Sequence, residues 1–313
     1  MNTRIDPIRV AVLGAGAVGC FYGGMLARGG HEVVLIGRPL HVDVFRQSGL
    51  HFEGLRFDER ISVKASTEPD AVRGARLVLF CVKSTDTEAA AAQIAPHLDP
   101  DAIVLNLQNG VDNTERIVSR IGRTVIPAVV HVATEMAGPG HLKHHGRGDL
   151  TIGALEDPVP PALQQALERV QRWFADAEVP VEVSDNIRGA LWGKLAVNCA
   201  YNAISALGNA PYGKMVESVG IRAVMHEATT EVLAVAAACG VRMAPDTIER
   251  VAGIATSMAT QRSSTAQDLA RSRPTEIDHL NGYIARQAAA HNIPVPVNRT
   301  LYALVKLAEA SPR

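Results

Sequence analysis

The chain has 313 residues, of which 47% are hydrophobic and 20% charged, with a formal net charge of −1. That balance argues against nucleic acid and membrane surfaces as partners, because both call for a basic patch. The length suffices for two domains. No leading apolar segment resembles a signal peptide and no run of about 18 apolar residues offers a membrane span, so a cytoplasmic protein is expected.

The first element is the apolar strand Ile8-Arg9-Val10-Ala11-Val12-Leu13, which runs straight into Gly14-Ala15-Gly16-Ala17-Val18-Gly19. A helix-like stretch through Phe21, Met25 and Leu26 follows. A G-x-G-x-x-G turn framed by strand and helix is a dinucleotide-binding signal. Gly14 permits the tight turn, Gly16 the approach of a pyrophosphate, and Gly19 close packing of helix on strand. The helix N-terminus beyond offers N–H groups and a positive dipole end to the phosphates. Gly14, Ala15, Gly16, Ala17, Val18 and Gly19 are therefore candidate cofactor contacts.

The second apolar run, His31 to Ile36, ends at Gly37-Arg38, with His41 nearby. Dinucleotide folds that prefer NAD place a carboxylate at this tip for the ribose 2′-hydroxyl. A guanidinium instead suits a 2′-phosphate, through charge-assisted bonds of about 1.5–3 kcal/mol each. NADP(H) is the cofactor expected, with Arg38 as its 2′-phosphate contact; a solvated surface arginine is the competing reading. Glu32 lies at the start of the strand, far from the ribose.

Further strands are expected at Ile61–Lys64, Leu77–Val82, Ile103–Leu107 and Val125–Val130, separated by Ala-rich helical stretches. This alternation indicates an α/β Rossmann-type domain with a mostly parallel sheet covered on both faces. His141–Gly153 and Val179–Val183 read as late strands, antiparallel at the edge. His141, His144 and His145 lie in a Gly-rich hairpin without regular ligand spacing, so they read as edge-strand histidines and no metal is expected. The four cysteines (Cys20, Cys81, Cys199, Cys239) are scattered in apolar stretches with no C-x-x-C spacing, and read as reduced core thiols.

The character changes at Ser184-Asp185-Asn186. From Ile187 onward the pattern is helical, broken at Gly208–Gly213, Gly240, Pro245 and Pro294-Val295-Pro296. The expected division is a cofactor-binding domain over 1–185 and an all-α substrate and catalytic domain over 186–313. Ligands of open α/β sheets bind at the carboxyl ends of the strands, so the active site is expected in the cleft between domains.

The first helix of the second part carries the chemistry. In Ala190 to Ser205, Lys194, Asn198 and Asn202 recur every fourth residue, each about 40° round from the last, so they form one stripe. A buried amide or ammonium costs several kcal/mol without a partner. Interdomain hydrogen bonds are one explanation of the stripe; a polar ligand is the better one. Hydride delivery to a ketone leaves a developing alkoxide, which needs a cation and then a proton. Lys194 suits both tasks, and partial desolvation would favour proton release near working pH. Asn198 and Asn202 suit the hydroxyl or carboxylate oxygens of a substrate.

Trp192-Gly193-Lys194-Leu195-Ala196-Val197-Asn198-Cys199, with Asn202 beyond, resembles the signature helix of 2-dehydropantoate 2-reductases, also called ketopantoate reductases. The resemblance recurs at Gln108-Asn109-Gly110, at Ser263-Ser264 with Gln267-Asp268, and at Thr275-Glu276-Ile277-Asp278-His279-Leu280-Asn281-Gly282, and covers essentially the whole chain. It implies NADPH-dependent reduction of 2-dehydropantoate to pantoate, a step toward pantothenate and coenzyme A. It also implies Ser264 at the substrate carboxylate, Asn109 where nicotinamide and substrate meet, and Lys83 and Ala133 beside the cofactor. Glu276 would hydrogen-bond the nicotinamide ribose or the substrate and help position Lys194 as a second catalytic residue. The partners expected are a small 2-oxo acid and either none or one further copy of the chain. One departure is Ala210-Pro211-Tyr212-Gly213, where well-known members carry a C-P-N-G-type turn; this puts pocket shape, and so the substrate, in question. The alternatives are a paralogous reductase of another 2-oxo acid or ketone and, remotely, a non-catalytic NADP(H) sensor.

Overall fold

The structure, a computed structural model, describes residues 6–311. The chain divides into two compact units between Ile187 and Arg188. The first unit contains, in order, β1 (Arg9–Leu13), α1 (Ala17–Arg28), β2 (Glu32–Ile36), α2 (Pro39–Ser48), β3 (Leu50–Glu53), β4 (Asp58–Ile61) and β5 (Lys64–Ser66). β6 (Leu77–Phe80), α3 (Thr87–Ile94), β7 (Ile103–Asn106), α4 (Asn113–Ile121), β8 (Ile126–Gly138), β9 (His141–Ile152), α5 (Pro161–Asp176) and β10 (Val181–Val183) complete it.

The strands form one sheet in the order β4-β3-β9-β8-β7-β6-β1-β2-β5, with β10 beside β9. From β5 through β7 to the start of β8 the pairing is parallel. Alternate residues feed opposite faces: Val10 and Val12 of β1 join one core, Ala11 and Leu13 the other. Strands buried on both faces read as continuous apolar runs, and so this half is legible from sequence.

The other half of the sheet curls because β8 is 13 residues long. Its first two residues pair with β7, and the rest forms an antiparallel hairpin with β9 that is interrupted by bulges. Bulges bend a strand and raise its twist. The curled sheet closes over α1, whose Phe21, Tyr22, Met25 and Leu26 are buried with Leu50, Phe52, Leu142 and Leu150. That wrapping explains the glycines within α1, each of which costs about 1 kcal/mol against alanine in an ordinary helix. A Cβ on Gly23 would come within 2.9 Å of Val12 and Leu35, and one on Gly24 within 2.9 Å of Leu50 and Phe52.

Two expectations from the sequence need correction. The run Ile61–Lys64 is not a strand but the break between two. β4 ends at Ile61 and pairs antiparallel with β3, while β5 begins at Lys64 and runs parallel to β2. Val179–Val183 contributes a strand only from Val181, and β10 runs parallel to β9, not antiparallel. Its direction is set by α5, which carries the chain back across the sheet before β10 begins. The sequence reading also left out β3, which alternates buried Leu50 and Phe52 with half-buried His51 and Glu53 over only four residues, and the mostly exposed β4. Strands so short depend on their neighbours for pairing.

The second unit is helical. It contains α6 (Ile187–Leu207), α7 (Tyr212–Met215), α8 (Ile221–Ala238), α9 (Thr247–Ser257), α10 (Ser264–Ala270), α11 (Asn281–Ala290) and α12 (Pro296–Ala310), with a 3₁₀ turn at Ile277–His279. Among the described residues no helix is long and apolar enough to cross a membrane.

Candidate active site

β1 ends at Leu13 and α1 begins at Ala17, so Gly14, Ala15 and Gly16 alone make the turn. The amides of Gly14 and Ala15 donate to the Ile36 carbonyl at 2.9 and 3.0 Å, tying the turn to the end of β2. Gly14 has φ +106°, and a Cβ there would lie 2.6 Å from the Cys81 carbonyl carbon and the Val82 nitrogen. Only glycine fits both constraints. A Cβ on Gly19 would strike the Gly14 carbonyl oxygen and lie 2.8 Å from Val12 Cγ1, so helix and strand touch there. Gly16 is different: it N-caps α1 without a side-chain cap, and a Cβ on it would meet no heavy atom within 4 Å. The turn thus leaves open space over the first-turn N–H groups of a 12-residue helix. These residues fit a dinucleotide pyrophosphate.

Arg38 is exposed, N-caps α2 and stands just past the carboxyl end of β2. Glu32 is at the other end of that strand, roughly 20 Å away at about 3.3 Å per residue. It is engaged there by Arg9 at 2.7 Å and Lys64 at 2.8 Å. The Lys64 hydrogen bond above all holds the Glu32 carboxyl below its ordinary range. The only acidic competitor on β2 is therefore committed elsewhere. His41, one turn into α2, accepts the Gly140 N–H at Nδ1 (3.3 Å), which braces α2 against the β8–β9 turn.

Lys83 and Asn109 lie in the loops that follow β6 and β7, at the carboxyl edge of the parallel strands. Lys83 is exposed and three residues past the end of β6, which stops at Phe80 and not at Val82. Asn109 is partly buried, and Gly110 beside it turns the chain at φ +96°. Gln108, with polar side chains that the sequence reading did not single out, holds these loops. Gln108 Nε2 donates to the Val82 carbonyl at 3.0 Å and to Thr87 Oγ1 at 2.9 Å. The Asn109 carbonyl accepts from Asn113 Nδ2 (2.6 Å) and Ser84 Oγ (3.2 Å). Arg116 Nη1 donates to Asn113 Oδ1 at 2.6 Å. Ala133 stands farther along β8, at a bulge opposite Gly146.

In the second unit, the stripe on α6 has a distinct exposure. Lys194 and Asn198 are half-buried, as are Ala190, Gly193 and Val197 on the same side, whereas Leu191, Trp192, Leu195, Ala196, Cys199 and Ala200 are buried. Asn202, at the inner end, is only 4% exposed. Lys194 and Asn198 are therefore the polar groups of the stripe on the accessible side of α6, and Asn202 extends it inward. Ser264 is exposed at the first position of α10. Its neighbour Ser263 fixes it: Ser263 Oγ accepts from the Ala266 N–H and donates to the Asn202 carbonyl, both at 3.0 Å, and its own N–H reaches Ser205 Oγ at 3.2 Å. Ser263 thus pins α10 to the Asn202 end of α6, a role its sequence position gives no sign of.

Pro274 and the acidic residues after it suit a helix N-terminus at Glu276, but Glu276 opens no α-helix. It precedes the single 3₁₀ turn Ile277–His279, and α11 begins only at Asn281. A helix-dipole explanation of its charge therefore has no helix to act on. Its neighbours are anchors. Thr275 donates its N–H and Oγ1 to Glu309 at 2.8 and 2.6 Å. Asp278 accepts from Tyr302 Oη at 2.6 Å and Lys306 Nζ at 3.0 Å. Asn281 Nδ2 donates to the Cys199 carbonyl of α6 at 3.1 Å and to Asn298 Oδ1 at 3.0 Å. The run from Thr275 to Asn281 is a frame docked on α12 and α6, with Glu276 half-buried within it. Tyr212, raised above as a feature of pocket shape, is 7% exposed with its ring 4.7 Å from that of Tyr201, so it packs in the helical core. Burial pushes its phenol up.

The hairpin histidines each have a protein partner: His141 with Glu53 and a stack on His51, His144 with the Arg147 carbonyl, His145 with Glu135. The cysteines are all free, with Cys20 and Cys199 buried.

Residues 10–157 match a family model described as ketopantoate reductase PanE/ApbA, and residues 186–309 match that of the family's C-terminal part. The chain is 35% identical to a 2-dehydropantoate 2-reductase of Halobacterium salinarum, covering 96% of this chain and 99% of the relative. It is 32% identical to one of Pyrococcus horikoshii, with 97% and 98% covered. The crystal structure of a PanE/ApbA family ketopantoate reductase from Ralstonia eutropha is similar with a TM-score of 0.90 and 54% identity, over 96% of this chain and 98% of that one. With both parts of the family model matched in order and relatives aligned over nearly their full length, the chain belongs to the PanE/ApbA ketopantoate reductase family.

Proposed function

We propose that this protein reduces the ketone of 2-dehydropantoate to the alcohol of pantoate with NADPH. The observation that carries the reading is the polar stripe on α6, half-buried at Lys194 and Asn198 and buried at Asn202, in a chain that also holds an open dinucleotide turn. In this reading Gly14 to Gly19 hold the pyrophosphate, Arg38 the 2′-phosphate, and Lys83, Asn109, Ala133 and Glu276 the nicotinamide half.

When bound, NADPH supplies the hydride that converts the carbonyl carbon to an alkoxide. The Lys194 ammonium stabilises the negative oxygen as it forms and delivers the proton that makes the hydroxyl, regaining one from solvent afterwards. Asn198 and Asn202 orient the substrate's oxygens by hydrogen bonding. Ser264, held in place by Ser263, takes the carboxylate. Glu276 contacts the ribose or the substrate hydroxyl and holds the Lys194 side chain toward the reacting oxygen.

NADPH oxidation on 2-dehydropantoate beside a panel of other 2-oxo acids tests the proposal. The expected outcome is the highest kcat/KM on 2-dehydropantoate. Equal or higher kcat/KM on another acid overturns the substrate assignment while leaving the reaction type.

A further inference from the structure

Arg116 lies on α4, outside the motifs that carry the family resemblance and past Gln108-Asn109-Gly110 in the chain, yet it uses its guanidinium fork in three directions. Nε and Nη2 grip the Glu88 carboxylate, each at 2.7 Å. Nη2 also donates to the Ser84 carbonyl at 2.8 Å, and Nη1 to Asn113 Oδ1 at 2.6 Å. A staple between α3 and α4 would need Glu88 alone. Two further contacts point inward, to the residues that hold Asn109: Asn113 Nδ2 donates both to the Asn109 carbonyl and to Ser84 Oγ (3.0 Å), and Ser84 Oγ donates to the same carbonyl. Thr87 closes the ring by donating to the Ser84 carbonyl at 3.0 Å while accepting from Gln108.

The members are buried: Ser84 and Thr87 are 0% exposed, Asn113 1% and Gln108 6%. Buried polar networks of this kind are rigid when satisfied and costly when broken. A planar fork makes these directed bonds at once, which a lysine cannot do. Both loops, after β6 and after β7, are thereby locked to one guanidinium.

We infer that Arg116 is a positioning residue for the reduction, acting through Asn113 and Ser84 to hold Asn109 in register with the reacting centre. The inference rests on the placement of Asn109 beside nicotinamide and substrate in the proposed function. It assigns the clamp a task in kcat: Asn109 displaced by a fraction of an ångström still admits cofactor but misaligns it.

A double-mutant cycle on kcat tests this, because coupling through an intermediary appears as non-additivity. Arg116→Met should lower kcat at least tenfold, with the KM for NADPH changed less than threefold. In an Asn109→Ala background the same substitution should lower kcat less than threefold further, since the side chain it positions is gone. Melting temperatures of all four proteins are measured in parallel; a purely structural clamp lowers them without coupling on kcat. Equal kcat losses in the two backgrounds, or wild-type kcat in Arg116→Met, overturn the inference alone. Wild-type kcat in Asn109→Ala by itself overturns the placement of Asn109 and the inference with it. If Arg116→Met does not fold, Arg116→Lys, which keeps the charge and loses the fork, enters the same cycle with the same expectations.

Discussion

Arg38 stands alone at the tip of β2, its acidic rival Glu32 being paired at the other end. If Arg38 holds the 2′-phosphate as proposed, Arg38→Asp removes a charge-assisted contact worth about 1.5–3 kcal/mol and adds repulsion, so NADPH affinity should fall at least tenfold in fluorescence titration while NADH affinity changes little. Equal losses for both cofactors would rule out a 2′-phosphate role. In the proposed reduction, Lys194 acts only as charge develops on the substrate oxygen. Lys194→Ala should therefore lower kcat by about 10²–10⁴-fold with the NADPH dissociation constant nearly unchanged; wild-type kcat would leave Lys194 a structural residue. For Glu276 the docked frame around it sharpens the expectation. Thr275, Asp278 and Asn281 carry the anchoring bonds, so Glu276→Gln should leave the melting temperature nearly unchanged. Its kcat/KM should fall more than tenfold, about 1.4 kcal/mol in the transition state. A drop in melting temperature with full activity would make Glu276 part of the frame.

Secondary-structure elements here are held by single polar side chains at their ends. Ser263 caps α10 and bonds the Asn202 carbonyl of α6. Ser263→Ala removes the cap, at about 0.5–2 kcal/mol, and leaves a buried carbonyl short of a donor. Calorimetry should show a melting temperature lower by a few degrees, and the substrate KM should rise with Ser264 no longer fixed. A wild-type melting temperature would show that the cap is dispensable. The same logic governs the N-terminus of α12, where Glu231 accepts the N–H groups of Val297 and Asn298, both at 2.8 Å. Sequence marks Pro296 as a helix start, but the acid that satisfies those amides comes from α8, far along the chain.

Both units depend on carboxylates that are more acidic folded than unfolded. The Arg116 fork lowers the Glu88 carboxyl to about 2. Burial raises Asp278, but hydrogen bonds from Tyr302 and Lys306 outweigh it and leave the carboxyl below its usual value. Burial likewise opposes, without reversing, the lowering of Glu309 by Lys306 and Thr275. A depressed folded pKa means that the folded state holds the proton less readily than the unfolded chain. The stabilisation is fully present above the unfolded value of about 4 and disappears as pH falls through the folded one. Stability to urea should fall steadily between about pH 5 and 2, after a smaller loss as pH drops through about 6.5, because burial lowers the His144 imidazole and the unfolded chain takes up that proton more readily. In Glu88→Gln the acid loss should be shallower, because one of the protons taken up on unfolding is gone; an unchanged slope would remove Glu88 from the linkage.

What sequence alone determined is what is written in local pattern. The turn from Gly14 to Gly19 is legible because strand, glycine spacing and helix are contiguous. The parallel strands β1, β2, β6 and β7 are legible because burial on both faces leaves unbroken apolar runs, and the stripe on α6 because four residues make about one turn. Tertiary structure decided whatever depends on distant partners. It set the parallel direction of β10, the pairing of the four-residue β3 with β9, and the bulged length of β8 that wraps the sheet over α1. It also turned Tyr212 from a pocket residue into core, and it showed Thr275, Asp278 and Asn281 to be anchors and Arg116 the clamp on two loops. A periodic face can be read from the residues that form it. A hydrogen bond between groups tens of residues apart exists only once the chain has closed the loop between them.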